Sequence, residues 1–143
     1  MRSVLYTLHR LQEQEKKQKQ LALADAERLR QAQSDEVDQL QSQLEEERRF
    51  QPRTAGELML QDRFLVNQFY ALCQSEETLQ VRDEDVHVCK EALIYARQQS
   101  KITEKLIETM EEKIALENKR KQDKETDDLG VMAWWRNHGL SEY

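Results

Sequence analysis

The segment Phe50-Gln51-Pro52-Arg53-Thr54-Ala55-Gly56-Glu57 decides the fold, because it holds the single proline of the chain and the first of its three glycines. Pro52 lacks a backbone N–H and biases the residue before it away from helical geometry. Thr54 and Glu57 have the spacing of a capping box, which marks the start of a helix. We therefore expect one helix to end near residue 50 and a second helix to begin near residue 55.

The composition on both sides of this break predicts long helices. The chain has 143 residues, of which 35% are charged and 38% apolar, and its net charge is −6. Most turns need Gly, Pro, Asn or Asp, so a chain with so few glycines and prolines makes few turns. This composition is typical of coiled coils, and it disfavours β-sandwiches and catalytic α/β folds.

A seven-residue repeat is the strongest pattern after the break. It runs through these positions: Leu58, Leu65, Leu72, Leu79, Val86, Leu93, Ser100, Ile107 and Ile114. Such a repeat predicts a left-handed supercoil against a partner helix. We expect a weaker companion row, in which apolar and polar residues alternate: Phe69, Cys89, Ala96 and Met110 with Gln61, Ser75 and Arg82.

These patterns predict an all-α fold, a long two-helix antiparallel coiled-coil hairpin with unequal arms, as a single domain over residues 1–143. We expect helix one at about 3–50, a loop at 51–54 and helix two at about 55–128. An apolar C-terminal tail follows at 129–143, because Gly130 is a candidate for the residue that ends helix two.

Helix one has a less regular pattern. Its apolar residues form three patches, and the step of eight residues from Leu29 to Val37 predicts a stutter in the supercoil. We expect no residue in the polar stretch 12–20 to pack into the helix interface. Folding at the break pairs residue i with about residue 107 − i. This pairing leaves four apolar residues of helix two without an intramolecular partner, which indicates a partner protein or a homodimer: Ile107, Met110, Ile114 and Leu116.

The sequence contains no pattern typical of an active site. The glycines are scattered, so there is no phosphate-binding loop, and His9, His87 and His138 are far apart. We predict no catalytic, metal or cofactor site. Basic and acidic residues are intermixed, which disfavours a nucleic-acid interface. Cys73 and Cys89 would lie about 24 Å apart on one helix, too far for a disulfide, which favours a reducing cytoplasm.

Two groups of aromatic residues are candidates for partner binding. Trp134 and Trp135 stand in an apolar tail beside Arg136, and Trp and Arg often dominate interfaces. The second group is predicted at the hairpin end and consists of Phe50, Phe64, Phe69 and Tyr70. That group either packs the end of the hairpin or forms a partner site.

Several segments resemble those of one protein family. They are Leu8–Glu15, Thr54–Leu58 leading into Arg63–Leu65, Ala96–Leu106 and Glu117–Asp127. Together they make the chain similar to the FliJ family of flagellar export proteins, with the YscO injectisome proteins as close relatives, and the late segments favour the flagellar system.

This resemblance implies a non-enzymatic stalk that inserts in the hexameric export ATPase ring, promotes its assembly and activity, and links it to the membrane export gate. It also implies contact with export chaperones and a place in the bacterial cytoplasm, peripheral at the inner membrane, which is reached only through the export apparatus. By analogy, contacts to the ATPase ring are assigned to Ile107, Met110, Ile114, Trp134 and Trp135. Contacts of the tip to the gate are assigned to Leu44, Phe50, Phe64, Gln68, Phe69 and Leu72.

Two other functions fit the same residues. One is a homodimeric coiled-coil scaffold, in which the row from Leu58 to Ile114 aligns with its own copy. The other is an export chaperone or adaptor that holds secretion substrates with the aromatic residues of the tip.

Overall fold

The computed structural model describes residues 2–139, and this part of the chain forms two α-helices and no strand. Helix α1 spans Arg2–Arg49 and helix α2 spans Ala55–Gly139. The two helices pack against each other in opposite directions, and α2 is the longer one. The predicted two-helix hairpin with unequal arms is therefore confirmed.

The connection between the helices is held at both sides by side-chain hydrogen bonds. The Thr54 hydroxyl oxygen accepts the backbone N–H of Glu57 at 3.1 Å, and the Glu57 carboxylate accepts the backbone N–H of Arg53 at 2.8 Å. The Gln61 side-chain amide donates to the carbonyl oxygens of Glu47 and Phe50, both at 2.9 Å. Because the last carbonyls of a helix lack intrahelical partners, Gln61 of α2 acts as a C-cap of α1.

Helix α2 continues through Gly139, so the expected helix end near residue 128 is wrong. Gly130 does not adopt a positive φ, which a left-handed C-cap requires. A glycine inside a helix costs about 1 kcal/mol relative to alanine, which neighbouring helix formers offset. No proline follows Gly130 to break the helix. Residues 140–143 of the predicted tail lie outside the described residues.

The structure divides into two compact units. The first joins Met1–Leu11 with Ser100–Tyr143, and the second is Gln12–Gln99. The second unit holds a hydrophobic core of Val37, Leu44 and Leu72, against which these residues pack: Leu40, Leu65 and Leu79. In the first unit the buried residues are Ser100, Thr103 and Ile107.

The burial pattern of α2 confirms the predicted apolar row except at Leu58, which is exposed. It corrects the companion row at one position, because Phe69 is 57% exposed and Gln68 lies in the interface instead. A strict seven-residue step from Gln61 leads to Gln68, so the supercoil geometry prevails over the hydrophobicity of Phe69. The full companion row is Gln61, Gln68, Ser75, Arg82, Cys89, Ala96, Thr103 and Met110.

Helix α1 keeps an uninterrupted seven-residue repeat, so the predicted stutter is wrong. Leu29 is exposed, and the repeat passes through Ala26 and Gln33 instead. Gln12, Lys16 and Lys19 are half-buried, which also contradicts the expectation for the polar stretch. Because α1 packs along the regular repeat of α2, it keeps the same seven-residue repeat. Long polar side chains are tolerated in this interface, since their aliphatic stems cover apolar surface while their polar ends reach water.

Candidate functional site

The six residues assigned to the hairpin end fall into two groups. Leu44 and Leu72 are only 7% and 8% exposed and belong to the hydrophobic core. Phe50, Phe64 and Phe69 are exposed. Of the six assigned residues, only the three phenylalanines can present a large apolar side chain to a partner while the hairpin stays folded.

Gln68, the sixth residue of that assignment, is half-buried in the interface between the helices. Its side-chain carbonyl oxygen has no hydrogen-bond partner among the described residues. A buried carbonyl without a partner loses its hydration at a cost of about 1–3 kcal/mol. Gln68 therefore weakens the packing of the two helices at this position.

The hairpin end exposes more apolar surface than the aromatic residues indicated. The stretch from Phe64 to Ser75 has no charged residue, in a chain of which 35% is charged. Sequence reasoning missed Met59, Leu60 and Val66. The missing charges were a signal available in the sequence for Val66, whereas Met59 and Leu60 precede the uncharged stretch. We define the hairpin-end surface by its exposed apolar members, which are Phe50, Met59, Leu60, Phe64, Val66, Phe69 and Tyr70. A concentration of exposed apolar residues at one end of the hairpin is a candidate interaction site.

The residues assigned to the ATPase ring also fall into two groups. Ile107 is 8% exposed and Met110 and Ile114 are half-buried, so the expectation that they lack an intramolecular partner is wrong for all three. The same unit contains a contact between the Tyr6 hydroxyl and the Glu111 carboxylate. The estimate 107 − i had placed residue 101 opposite Tyr6. Helical side chains lean toward the N-terminus of their own helix, so in an antiparallel pair they reach residues further along the partner.

The last part of α2 is a fully exposed helix that ends in two tryptophans. Every residue from Ala115 to His138 is exposed, including Leu116. Trp134 and Trp135 are 54% and 64% exposed, and their rings make an edge-to-face contact with centroids 5.4 Å apart. The ring of His138 stacks on Trp134 at 4.6 Å. The two exposed indoles lie side by side on the helix surface and are a candidate anchor for a partner.

The described residues contain no arrangement typical of bond chemistry. No group of three His, Cys, Asp or Glu residues among them could hold a metal ion. Cys73 and Cys89 are free thiols and are half-buried. Between residues 2 and 139, neither helix has a stretch apolar enough to cross a membrane. The exposed apolar residues at the hairpin end and along the last part of α2 are the candidate interaction surfaces.

Comparison with known protein families gives one match, which covers nearly the whole chain. The family model described as "Flagellar FliJ protein" matches residues 1–139. The chain belongs to the FliJ family. This FliJ-family protein is accordingly a component of flagellar protein export, and the family is non-catalytic. Neither the curated proteins nor the solved structures yield a match.

The packing in this FliJ-family protein also bears on the homodimer alternative. The row of α2 that would align with its own copy is buried or half-buried from Leu65 to Ile114 within the hairpin itself. A coiled-coil row that packs against α1 is not available to a second copy unless the hairpin opens. The exposed residues of the hairpin-end surface and of the last part of α2 remain accessible.

Proposed function

We propose that this FliJ-family protein is the non-enzymatic stalk of a bacterial flagellar export apparatus. In this proposal the last part of α2 inserts in the hexameric export ATPase ring and promotes its assembly and activity. The hairpin-end surface binds the cytoplasmic domain of the export gate, and export chaperones bind to the same hairpin. The protein acts in the cytoplasm, at the cytoplasmic face of the inner membrane.

The observation that carries this proposal is the exposed helix from Ala115 to His138. A single α-helix with its side chains is about 10–12 Å in diameter, so it can enter an opening that a helix pair cannot. Charged residues fill the interface positions after Ile114, namely Glu117, Lys121, Lys124 and Asp128. These side chains favour water over a partner helix, so they suit a helix that is exposed on all sides.

We assign the residues that touch each partner by the exposure of their side chains. We assign ring contact to Trp134 and Trp135, and we place Met110 and Ile114 at the edge of that surface. Buried Ile107 supports the hairpin beneath them. At the other end, gate contact is assigned to Phe50, Phe64 and Phe69, beside the poorly satisfied Gln68. Leu44 and Leu72 hold this surface in shape from within the core.

The proposed mechanism needs no bond chemistry in the stalk. One helix in the centre of a ring contacts the six equivalent subunits unequally. Because a ligand that binds two states unequally shifts their populations, these contacts would favour different states in different subunits of the ring. The polar interface of the hairpin suits this role. Gln33 donates to the Ser75 carbonyl at 3.1 Å and to the Ser75 hydroxyl at 2.6 Å inside that interface. Such polar layers pack less tightly than leucine layers and allow small adjustments between the helices.

The experiment measures ATP hydrolysis by the export ATPase of the same organism, with and without this protein. We expect stimulation, which the double variant Trp134→Ala/Trp135→Ala loses while gate binding persists. The variant Phe64→Ala/Phe69→Ala should lose gate binding and keep the stimulation, so each variant is the control for the other. A chain ending at Leu129 should behave like the tryptophan variant. Wild-type protein that changes neither hydrolysis nor ring assembly would refute the stalk function.

A further inference from the structure

The two sides of the hairpin in the unit Gln12–Gln99 differ in chemistry. On one side, small and apolar residues of both helices line a groove: Ala22, Ala26, Leu29, Val88 and Cys89. On the opposite side, the corresponding groove is lined mainly by charged residues: Glu27, Arg30, Asp83, His87 and Lys90. Only the first groove has the apolar lining of a helix-docking site.

The apolar side continues along the hairpin at regular steps. Val81, Val88 and Tyr95 are spaced by seven residues on α2 and are 54%, 62% and 64% exposed. Ala22 and Leu29 have the same spacing on α1. In a supercoiled pair, positions seven residues apart lie in a straight row along the pair. The groove is therefore bordered by the apolar row of α2 and by the two apolar residues Ala22 and Leu29 of α1, which is a surface that a third helix can pack against.

Carboxylates surround this groove. Asp25, Asp85 and Arg82 line it directly. Asp25 forms an ion pair with Arg28, and Asp85 forms one with Arg82. Glu15 and Glu36 continue the row of Ala22 and Leu29. On α2, the residues four positions before each row member add Glu77, Glu84 and Glu91, all of them exposed. Among the described residues of this face, seven carboxylates stand against two arginines.

We propose that this groove binds a basic amphipathic α-helix of a partner protein. The seven-residue spacing selects a helix, because an extended segment cannot match two rows with this period. The excess of carboxylates selects flanking lysines or arginines by charge complementarity. A second copy of this chain is disfavoured, because each copy would bring its own acidic border to the contact.

The experiment uses the full chain and a synthetic peptide of about three heptads. The peptide carries leucines in heptad positions, lysines at the flanking positions and a fluorescent label. A matched peptide carries glutamates in place of the lysines. Fluorescence anisotropy should show that the lysine peptide binds at least about tenfold tighter at low salt. This preference should shrink as salt increases, because salt screens exposed charges.

Two sets of variants locate the binding. The double variant Val88→Gln/Tyr95→Gln should weaken binding of the lysine peptide about tenfold. Ile94→Gln is the matched control, because Ile94 is 53% exposed but points away from the row, and it should leave the affinity within about twofold. The variant Glu84→Lys/Glu91→Lys should nearly remove the preference for the lysine peptide, because it brings the numbers of carboxylates and cations on this face close to each other. All of these side chains are exposed, so the fold tolerates the changes.

Three results would overturn the proposal. One is equal binding of the two peptides, and another is unchanged binding to the Val88→Gln/Tyr95→Gln variant. The third is that the wild-type chain binds neither peptide and forms a dimer in sedimentation equilibrium, and that Val88→Gln/Tyr95→Gln abolishes this dimer. That result would assign the groove to a second copy of the chain. None of these results bears on ATPase stimulation, so the stalk function stands or falls separately.

Discussion

Replacing Gln61 tests whether α2 caps the end of α1 across the hairpin. The Gln61 amide donates two hydrogen bonds of 2.9 Å, to the carbonyl oxygens of Glu47 and Phe50. A neutral hydrogen bond contributes about 0.5–1.5 kcal/mol net, and the bond to Phe50 is exposed and belongs at the low end. We therefore expect Gln61→Ala to lower the free energy of unfolding by about 1–2 kcal/mol.

Gln61→Glu sharpens this test, because it keeps the shape of the side chain and removes the donor. The ionised carboxylate would face two carbonyl oxygens, so the loss should at least equal that of Gln61→Ala. A glutamic acid has an ordinary pKa of about 4.3, and its protonated form can donate one hydrogen bond. The two carbonyl oxygens disfavour the ionised form and raise the pKa of this carboxyl in the folded variant above the ordinary value. The difference in stability between Gln61→Glu and wild type should therefore shrink as the pH falls through that raised pKa, and it should be smallest below about 4.

The assay is urea-induced unfolding followed by circular dichroism, with wild type measured at every pH. Gln80→Ala is the control, because Gln80 is an exposed glutamine on the same helix, and it should change stability by less than about 0.5 kcal/mol. A Gln61→Glu protein as stable as wild type at every pH would show that the amide does not cap α1.

Three further substitutions test the packing and the helix ends. Leu44→Ala should lower the free energy of unfolding in urea by about 2–4 kcal/mol, because Leu44 lies in the core. Leu60→Ala should change this free energy little, because Leu60 is exposed. Equal effects of the two substitutions would contradict the core assignment. Thr54→Ala should lower the free energy of unfolding by about 1 kcal/mol through loss of the cap on Glu57, and Thr54→Ser should restore it. Gly130→Ala should stabilise α2 by about 0.5–1 kcal/mol, because no described atom lies within 4 Å of the added Cβ and φ is not positive. Slower amide hydrogen exchange at residues 126–134 would report this gain, and faster exchange would mean that the helix ends at Gly130.

The sequence was a reliable guide where a local rule and a long repeat agreed. Pro52 and the spacing of Thr54 and Glu57 predicted the break, and the hydrogen bonds of Thr54 and Glu57 confirm it. The nine-position repeat of α2 predicted the packed row, apart from exposed Leu58. The local rule failed at Gly130, since a glycine can end a helix or continue it. Which occurs depends on its neighbours.

Predictions about individual contact residues were less successful, because the hydrophobicity of a single residue does not determine whether that residue faces the partner helix. Phe69 is apolar yet exposed, while Gln68 beside it lies in the interface. Ile107 was expected to be unpaired, and its burial depends on how far side chains reach between antiparallel helices. Trp134 and Trp135 are exposed, which agrees with their interpretation as an anchor for a partner, since a two-helix hairpin has little surface that could bury two indoles.

By itself, the sequence determined the two helices, the position of the turn and the row of α2 that packs, because turn residues and a seven-residue period are local properties of the chain. The tertiary structure decided which side of α1 faces α2. This orientation places Gln12, Lys16 and Lys19 in the interface and leaves Leu29 outside it. It also decided that one groove of the hairpin is apolar and the opposite one charged. A groove is formed by two helices together, so its chemistry depends on their relative rotation, which neither helix encodes separately.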